Sequence, residues 1–191
     1  DLRSGLPWDG KVRILLDLET ATDFTIHLRI PSWANRFVIR INGQSNPIQF
    51  PFPTMAKETP ASGYDPRLAW FLPVHRIWSP GDVLELEFEM HVLFRHASPR
   101  IHGHTNKVAL TRGPLVYCLE SVDNPGLDIF TARLDPSSVA DNASSVIYLS
   151  SLLGGTKVIT GRTMDGLDLT FIPYFLWANR GESSMTGWVN N

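Results

Sequence analysis

The stretch Leu84-Glu85-Leu86-Glu87-Phe88-Glu89-Met90 alternates apolar and acidic residues without a break. A strand sends successive side chains to opposite faces, so this run sets the glutamates on one side and the apolar residues on the other. A helix would scatter the glutamates around its circumference. The stretch reads as a half-buried β-strand. The same period of two recurs upstream. Val12, Ile14, Leu16 and Leu18 share a face within Lys11 to Leu18, as do Phe24, Ile26, Leu28 and Ile30, and then Phe37, Ile39 and Ile41.

Turn chemistry falls between these runs. Asn42-Gly43 follows the third stripe and supplies the positive φ angles of a tight hairpin. Ser79-Pro80-Gly81-Asp82 separates Val74 to Trp78 from Val83 to Met90. Further strands are expected at Lys107 to Arg112, Leu115 to Glu120, Val146 to Leu149, Thr156 to Thr160 and Leu167 to Ile172. Phe50 to Asp65 and Asp135 to Ser145 read as loops, the second one exposed. Fourteen Gly and fourteen Pro among 191 residues argue against long helices, and no amphipathic helix stands out. The expected fold is all-β with little helix: two antiparallel β-sandwich (jelly-roll-like) domains. The first covers 1–97 and the second 98–191, with the strand at 11–18 able to join either.

Composition narrows the function classes. A formal net charge of -2 gives no basic field for nucleic acid or an anionic membrane. No stretch approaches the roughly 20 apolar residues that span a bilayer. The N-terminus Asp1-Leu2-Arg3-Ser4-Gly5 has neither signal-peptide shape nor an initiator methionine, as expected of a chain that begins mid-protein; the compartment stays open. The single cysteine, Cys118, rules out an intrachain disulfide and a multi-cysteine metal site, and its apolar run marks a buried strand thiol over a nucleophile. Asn142-Ala143-Ser144 is a glycosylation sequon that matters only in a eukaryotic secretory setting.

No credible catalytic constellation emerges. In most glycosidases two carboxyl groups face each other across the sugar, about 5–5.5 Å apart or wider, whereas Glu85, Glu87 and Glu89 repeat along one strand face. They read as a solvated face that also guards against strand aggregation. His91, His96, His102 and His104 cluster without a third ligand type at metal-site spacing. No serine occupies a nucleophile elbow, and Gly154-Gly155 with Gly161 forms no phosphate-binding fingerprint. No catalytic and no metal residue is assigned. The six tryptophans can stack on sugar rings or pack in a core. Trp70 and Trp78 lie in strand-like runs and read as core. Trp8, Trp33 and Trp177 follow prolines or sit in turns and are the interface candidates.

Several ordered segments resemble the C-terminal region of glycoside hydrolase family 127, whose characterised members include β-L-arabinofuranosidases. They are Leu6-Pro7-Trp8-Asp9-Gly10-Lys11-Val12, Leu28-Arg29-Ile30-Pro31-Ser32-Trp33-Ala34, Val38-Ile39-Arg40-Ile41-Asn42-Gly43, Trp78-Ser79-Pro80-Gly81-Asp82, Arg112-Gly113-Pro114-Leu115-Val116-Tyr117-Cys118-Leu119-Glu120 and Ile172-Pro173-Tyr174-Phe175-Leu176-Trp177-Ala178-Asn179-Arg180-Gly181. The resemblance implies an N-terminal helical-barrel catalytic domain followed by β-sandwiches. It places a zinc-bound cysteine nucleophile and a glutamate acid/base in that barrel. No position here matches that motif, and Asp123 to Ser151 departs from the pattern. The expectation is a non-catalytic portion with no cofactor of its own, bracing the missing barrel and able to mediate a subunit contact. Arg112 and Arg180 are candidate anchors beside the three tryptophans. The alternatives are a carbohydrate-binding module, with glycan on exposed tryptophans, and a small autonomous hydrolase using the His91 to His104 cluster.

Overall fold

A computed structural model describes residues 1–34, 36–45, 70–139, 145–152 and 154–191, with Trp70 described by its backbone. The expected loop Phe50 to Asp65 and the sequon Asn142-Ala143-Ser144 lie outside the described residues. The described chain is built of antiparallel strands with three short 3-10 turns, as the alternation predicts. Two compact units divide it, Asp1–Met90 and His91–Asn191.

The first unit contains β1 (Leu2–Ser4), β2 (Lys11–Leu15), β3 (Thr22–Ile30), β4 (Phe37–Ile41), β5 (Gln44–Ser45), β6 (Trp70–Trp78) and β7 (Val83–Phe88). Among the described residues, five of these form one sheet in the order β1-β2-β7-β4-β5, and β3 pairs with β6. Leu28 and Ile30 of β3 and Leu72 and Val74 of β6 meet Ile39 and Ile41 of β4 and Leu84, Leu86 and Phe88 of β7 in one apolar cluster. Two sheets over a shared core make a sandwich. Val12, Ile14, Leu16 and Leu18 pack against it from β2 and the residues after it. That strand lies between β1 and β7, within the first unit. Trp78 is fully buried, and its indole N–H donates to the Phe24 carbonyl at 3.1 Å, which satisfies its polar atom as burial requires.

Two turns lock together beside this core. Asn42 and Gly43 both take positive φ, 54° and 76°. The Asn42 side chain donates to Asp82 at 2.8 Å and accepts the Val83 N–H at 2.8 Å. Asp82 also accepts the Ser79 N–H at 2.9 Å. These bonds hold its carboxyl below the usual range, the Asn42 side chain contributing most. The turn residues thereby set the register of β4 against β7.

The second unit contains β8 (Val92–His96), β9 (Lys107–Arg112), β10 (Leu115–Glu120), β11 (Val146–Leu149), β12 (Thr156–Arg162), β13 (Asp168–Pro173), β14 (Met185–Thr186) and β15 (Val189–Asn190). They form an antiparallel sheet with the path β11-β12-β13-β10-β9-β15, while β14 pairs with β10 and β8 with β9. Because β8 is in register with β9 from Val92↔Arg112 to His96↔Val108, the second unit starts ahead of residue 98. Apolar clusters cover both sheet faces. Tyr117, Leu119, Ile159, Leu169 and Phe171 build the larger one, and Cys118, Leu152, Val158 and Ile172 the smaller.

Two details depart from the sequence reading. β7 is central, paired on both sides, so its glutamates guard no sheet edge. The Asp135 to Ser145 segment is not simply exposed: Pro136–Val139 forms a 3-10 turn and buries Val139. Ser138 Oγ docks this turn by accepting the Arg162 N–H at 2.8 Å. Gly161 permits that approach, since a Cβ there would stand 3.2 Å from the hydroxyl.

Candidate functional site: an aromatic loop held by a buried carboxylate

β10 ends in Glu120, which shares a face with Cys118 and is fully buried. A buried carboxylate must be paired and hydrogen-bonded to persist. Glu120 Oε1 accepts the Ala178 N–H at 2.9 Å, and Oε2 accepts the Arg180 guanidinium. Arg180 reaches further to both oxygens of Asp123, the Nη2 bond measuring 2.6 Å. Bonding to Asp123, with Glu120 behind it, raises the Arg180 pKa above its ordinary value. Such a forked pair fixes direction as well as charge.

The clamp orders a loop. After β13 the chain makes a 3-10 turn at Tyr174–Leu176, passes Ala178 at a positive φ of 61°, and returns to pair β14 with β10. The Ser121 and Ser183 hydroxyls lie 3.0 Å apart, and Ser184 N–H donates to Ser121 Oγ at 3.0 Å. Between the end of β13 and these pins, Tyr174, Phe175 and Trp177 stay exposed at 46%, 56% and 38%. Three exposed aromatic rings on an immobilised backbone form a patch suited to contact rather than to chemistry.

The other candidates sit elsewhere. Trp33 is half-buried and packs against the first unit's core, with an edge contact to Phe88 at 5.3 Å between centroids. Trp8 is half-buried in the turn after β1, its backbone N–H donating to Gly5 O at 2.9 Å. Arg112 is half-buried at the end of β9, opposite Leu115 and Val92. Arg180 and Trp177 are the two that come together on one loop, and the Arg180 fork is committed inside its own unit. Tyr174, Phe175, Glu120 and Asp123 were not singled out from sequence. A carboxylate closing an apolar strand on its buried parity was the available signal for Glu120.

Cys118 is 1% exposed. Burial pushes its thiol up to about 12, and Glu120 and Asp123 push the same way. A thiol so placed is not a ready nucleophile at neutral pH. Glu85 and Glu87 face outward, with Glu87 bonded to Arg40 at 2.8 Å. His104 makes an edge contact with Trp188 at 5.2 Å. Among the described residues, no three His, Cys, Asp or Glu side chains converge as metal ligands. A zinc-bound cysteine centre therefore has no fit in the described residues.

Residues 1–90 match the family profile described as "Beta-L-arabinofuranosidase, GH127 middle domain", and residues 92–190 match "Glycoside hydrolase family 127 C-terminal domain". The chain belongs to glycoside hydrolase family 127. A relative, the non-reducing end β-L-arabinofuranosidase of Bifidobacterium longum subsp. longum, is 31% identical over an alignment 205 positions long that spans 93% of this chain and 28% of that protein. Among solved structures, the family 127 β-L-arabinofuranosidase Ara127N-Se from Geobacillus stearothermophilus T6 superposes with a TM-score of 0.73 at 32% identity, covering 99% of this chain and 30% of its own. A second family 127 β-arabinofuranosidase gives 0.72 at 26% identity, with 99% and 31% covered. The chain thus spans less than a third of the relatives it matches.

Proposed function

We propose that this chain is the non-catalytic β-sandwich portion of a family 127-like glycoside hydrolase, and that it braces a catalytic helical barrel contributed by the rest of the protein. The parent enzyme is then a β-L-arabinofuranosidase or a related exo-glycosidase, as the matched relatives' names suggest. The zinc chemistry implied by the resemblance belongs to that barrel. The observation that carries the bracing role is the segment 174–177, whose three aromatic rings are exposed while the chain on either side is held, by the β13 pairing that ends at Pro173 and by the Ala178 N–H on Glu120, with Arg180 forked to Asp123 just beyond. Immobilising a loop in advance lowers the ordering cost of a contact.

The test uses the longer protein that carries the barrel. Phe175→Ala and Trp177→Ala each lower its melting temperature and activity while leaving the 191-residue chain's own melting nearly unchanged. Unchanged melting and activity of the longer protein in both variants would overturn the brace. A second reading shares the same observation, because exposed aromatic rings also stack on sugars. Under it, neutral arabino-oligosaccharides bind the isolated chain, and Trp177→Ala abolishes that binding. A second subunit on the patch is read out by a shift in sedimentation that the same variants remove.

A further inference from the structure

The outward face of the five-stranded sheet carries an unusual rank of charge. Strand register sets Arg3 opposite Arg13, Arg13 opposite Glu85, and Glu85 opposite Arg40 across β1, β2, β7 and β4. The neighbouring rank sets Lys11 opposite Glu87. These side chains line a shallow trough of about 440 Å³. Like charges directly opposite each other destabilise a sheet, so the Arg3 and Arg13 pairing works against the fold it sits on.

Internal ion pairs leave part of this charge uncommitted. Arg40 bonds Glu87 at 2.8 Å, and Arg3 Nε bonds Asp1 at 3.2 Å. Arg13, Lys11 and Glu85 enter no ion pair among the described residues. The Arg13 guanidinium, and Arg3 through the nitrogens that Asp1 leaves unused, thus stand beside the Glu85 carboxylate, with no aromatic ring in the trough's lining.

We propose that this trough binds an anionic saccharide, the Arg3 and Arg13 guanidinium groups taking a uronate carboxylate and Glu85 accepting bonds from the sugar hydroxyls. Arginine's planar fork matches a carboxylate in two parallel bonds. The glutamates set between the cations disfavour a polyphosphate backbone and suit a ligand that offers hydroxyl donors as well as negative charge. The choice of a sugar rests on the family reading, while the charge geometry stands apart from the aromatic loop of the second unit and from its bracing role.

Calorimetric titration of the 191-residue chain tests it, with trigalacturonate, neutral arabinotriose and a triglutamate peptide as probes. Trigalacturonate binds at submillimolar concentration, and the two others bind at least about tenfold more weakly. Arg13→Ala and Glu85→Gln each weaken the trigalacturonate affinity several-fold or more, and Arg13→Lys, which keeps the charge but loses the fork, weakens it by less than Arg13→Ala. Arg162→Ala, on the second unit, leaves it unchanged. Circular dichroism melting of each variant separates lost binding from lost folding. No heat with trigalacturonate at millimolar concentration, equal binding of triglutamate, or an Arg13→Ala chain that is folded and binds normally would each overturn the proposal. The brace would stand in all three cases, since none of these residues lies on the aromatic loop.

Discussion

Tyr117 and Cys118 are neighbours on β10 that point into opposite cores, the first into the larger cluster of the second unit and the second into the smaller. Burial dominates both, pushing the phenol and the thiol each up to about 12, with Arg112 pulling the phenol back slightly. The phenol spends its proton on the Lys157 carbonyl at 3.1 Å, a bond the ionised form cannot donate. A group whose folded pKa is raised gives stability that is complete below its unfolded pKa and lost as pH climbs toward the folded value. With ordinary values of 9.0 for the thiol and 10.0 for the phenol, stability should begin to fall above pH 9 and fall more steeply above pH 10. Urea midpoints across this window check the slope, and Cys118→Ala should remove its first part. A midpoint flat from pH 8 to 11 would refute the burial argument. Iodoacetamide labelling of Cys118 should track unfolding at neutral pH for the same reason.

The loop between β13 and β14 shows what a single guanidinium can hold. Without Arg180, Glu120 stays fully buried with only the Ala178 N–H on its side-chain oxygens, and breaking a buried pair from one side costs about 3–5 kcal/mol. Arg180→Ala should therefore lower unfolding free energy by roughly that amount, discounted toward the lower end because Arg180 itself keeps some solvent contact. Denaturant unfolding of the chain measures it, and a loss below about 1 kcal/mol would mean that water replaces the fork. Arg180 is visible in sequence as an arginine near the end of the chain, but its partners are not. Glu120 and Asp123 lie 60 and 57 residues away, and the pairings of β10 with β13 and β14 bring them together. The strands were legible for the opposite reason. β9, β10 and β11 match the expected bounds residue for residue because each is a local run with its own turn signals. The strands that escaped are β1, β5, β14 and β15, with two or three residues each, and β8, whose run Val92-Leu93-Phe94 does not alternate. The short ones exist through their neighbours' open edges, a signal that period-two alternation cannot carry. Trp33 sits in the turn expected after Pro31, and the contact of its half-buried ring with Phe88 is one that the local sequence does not carry.

At the scale of the molecule, family membership and all-β architecture agree, and the open matter is what the exposed aromatic patch meets. Trp177 offers a direct probe because it is the one tryptophan on that loop and is 38% exposed. In the 191-residue chain its emission should be quenched by acrylamide and shifted to the red, as for an indole partly in water. In the longer protein that carries the barrel, the same residue should become protected and shift to the blue. Trp78 supplies an internal reference, being fully buried with its N–H on Phe24. Subtracting the spectrum of a Trp177→Phe variant isolates the signal in each protein. Equal quenching of Trp177 in the short and long proteins would place the barrel contact somewhere other than this loop. Protection that also requires the Glu120 and Arg180 clamp, and so weakens in Arg180→Ala, would tie the buried carboxylate to the contact through loop order rather than through direct touch.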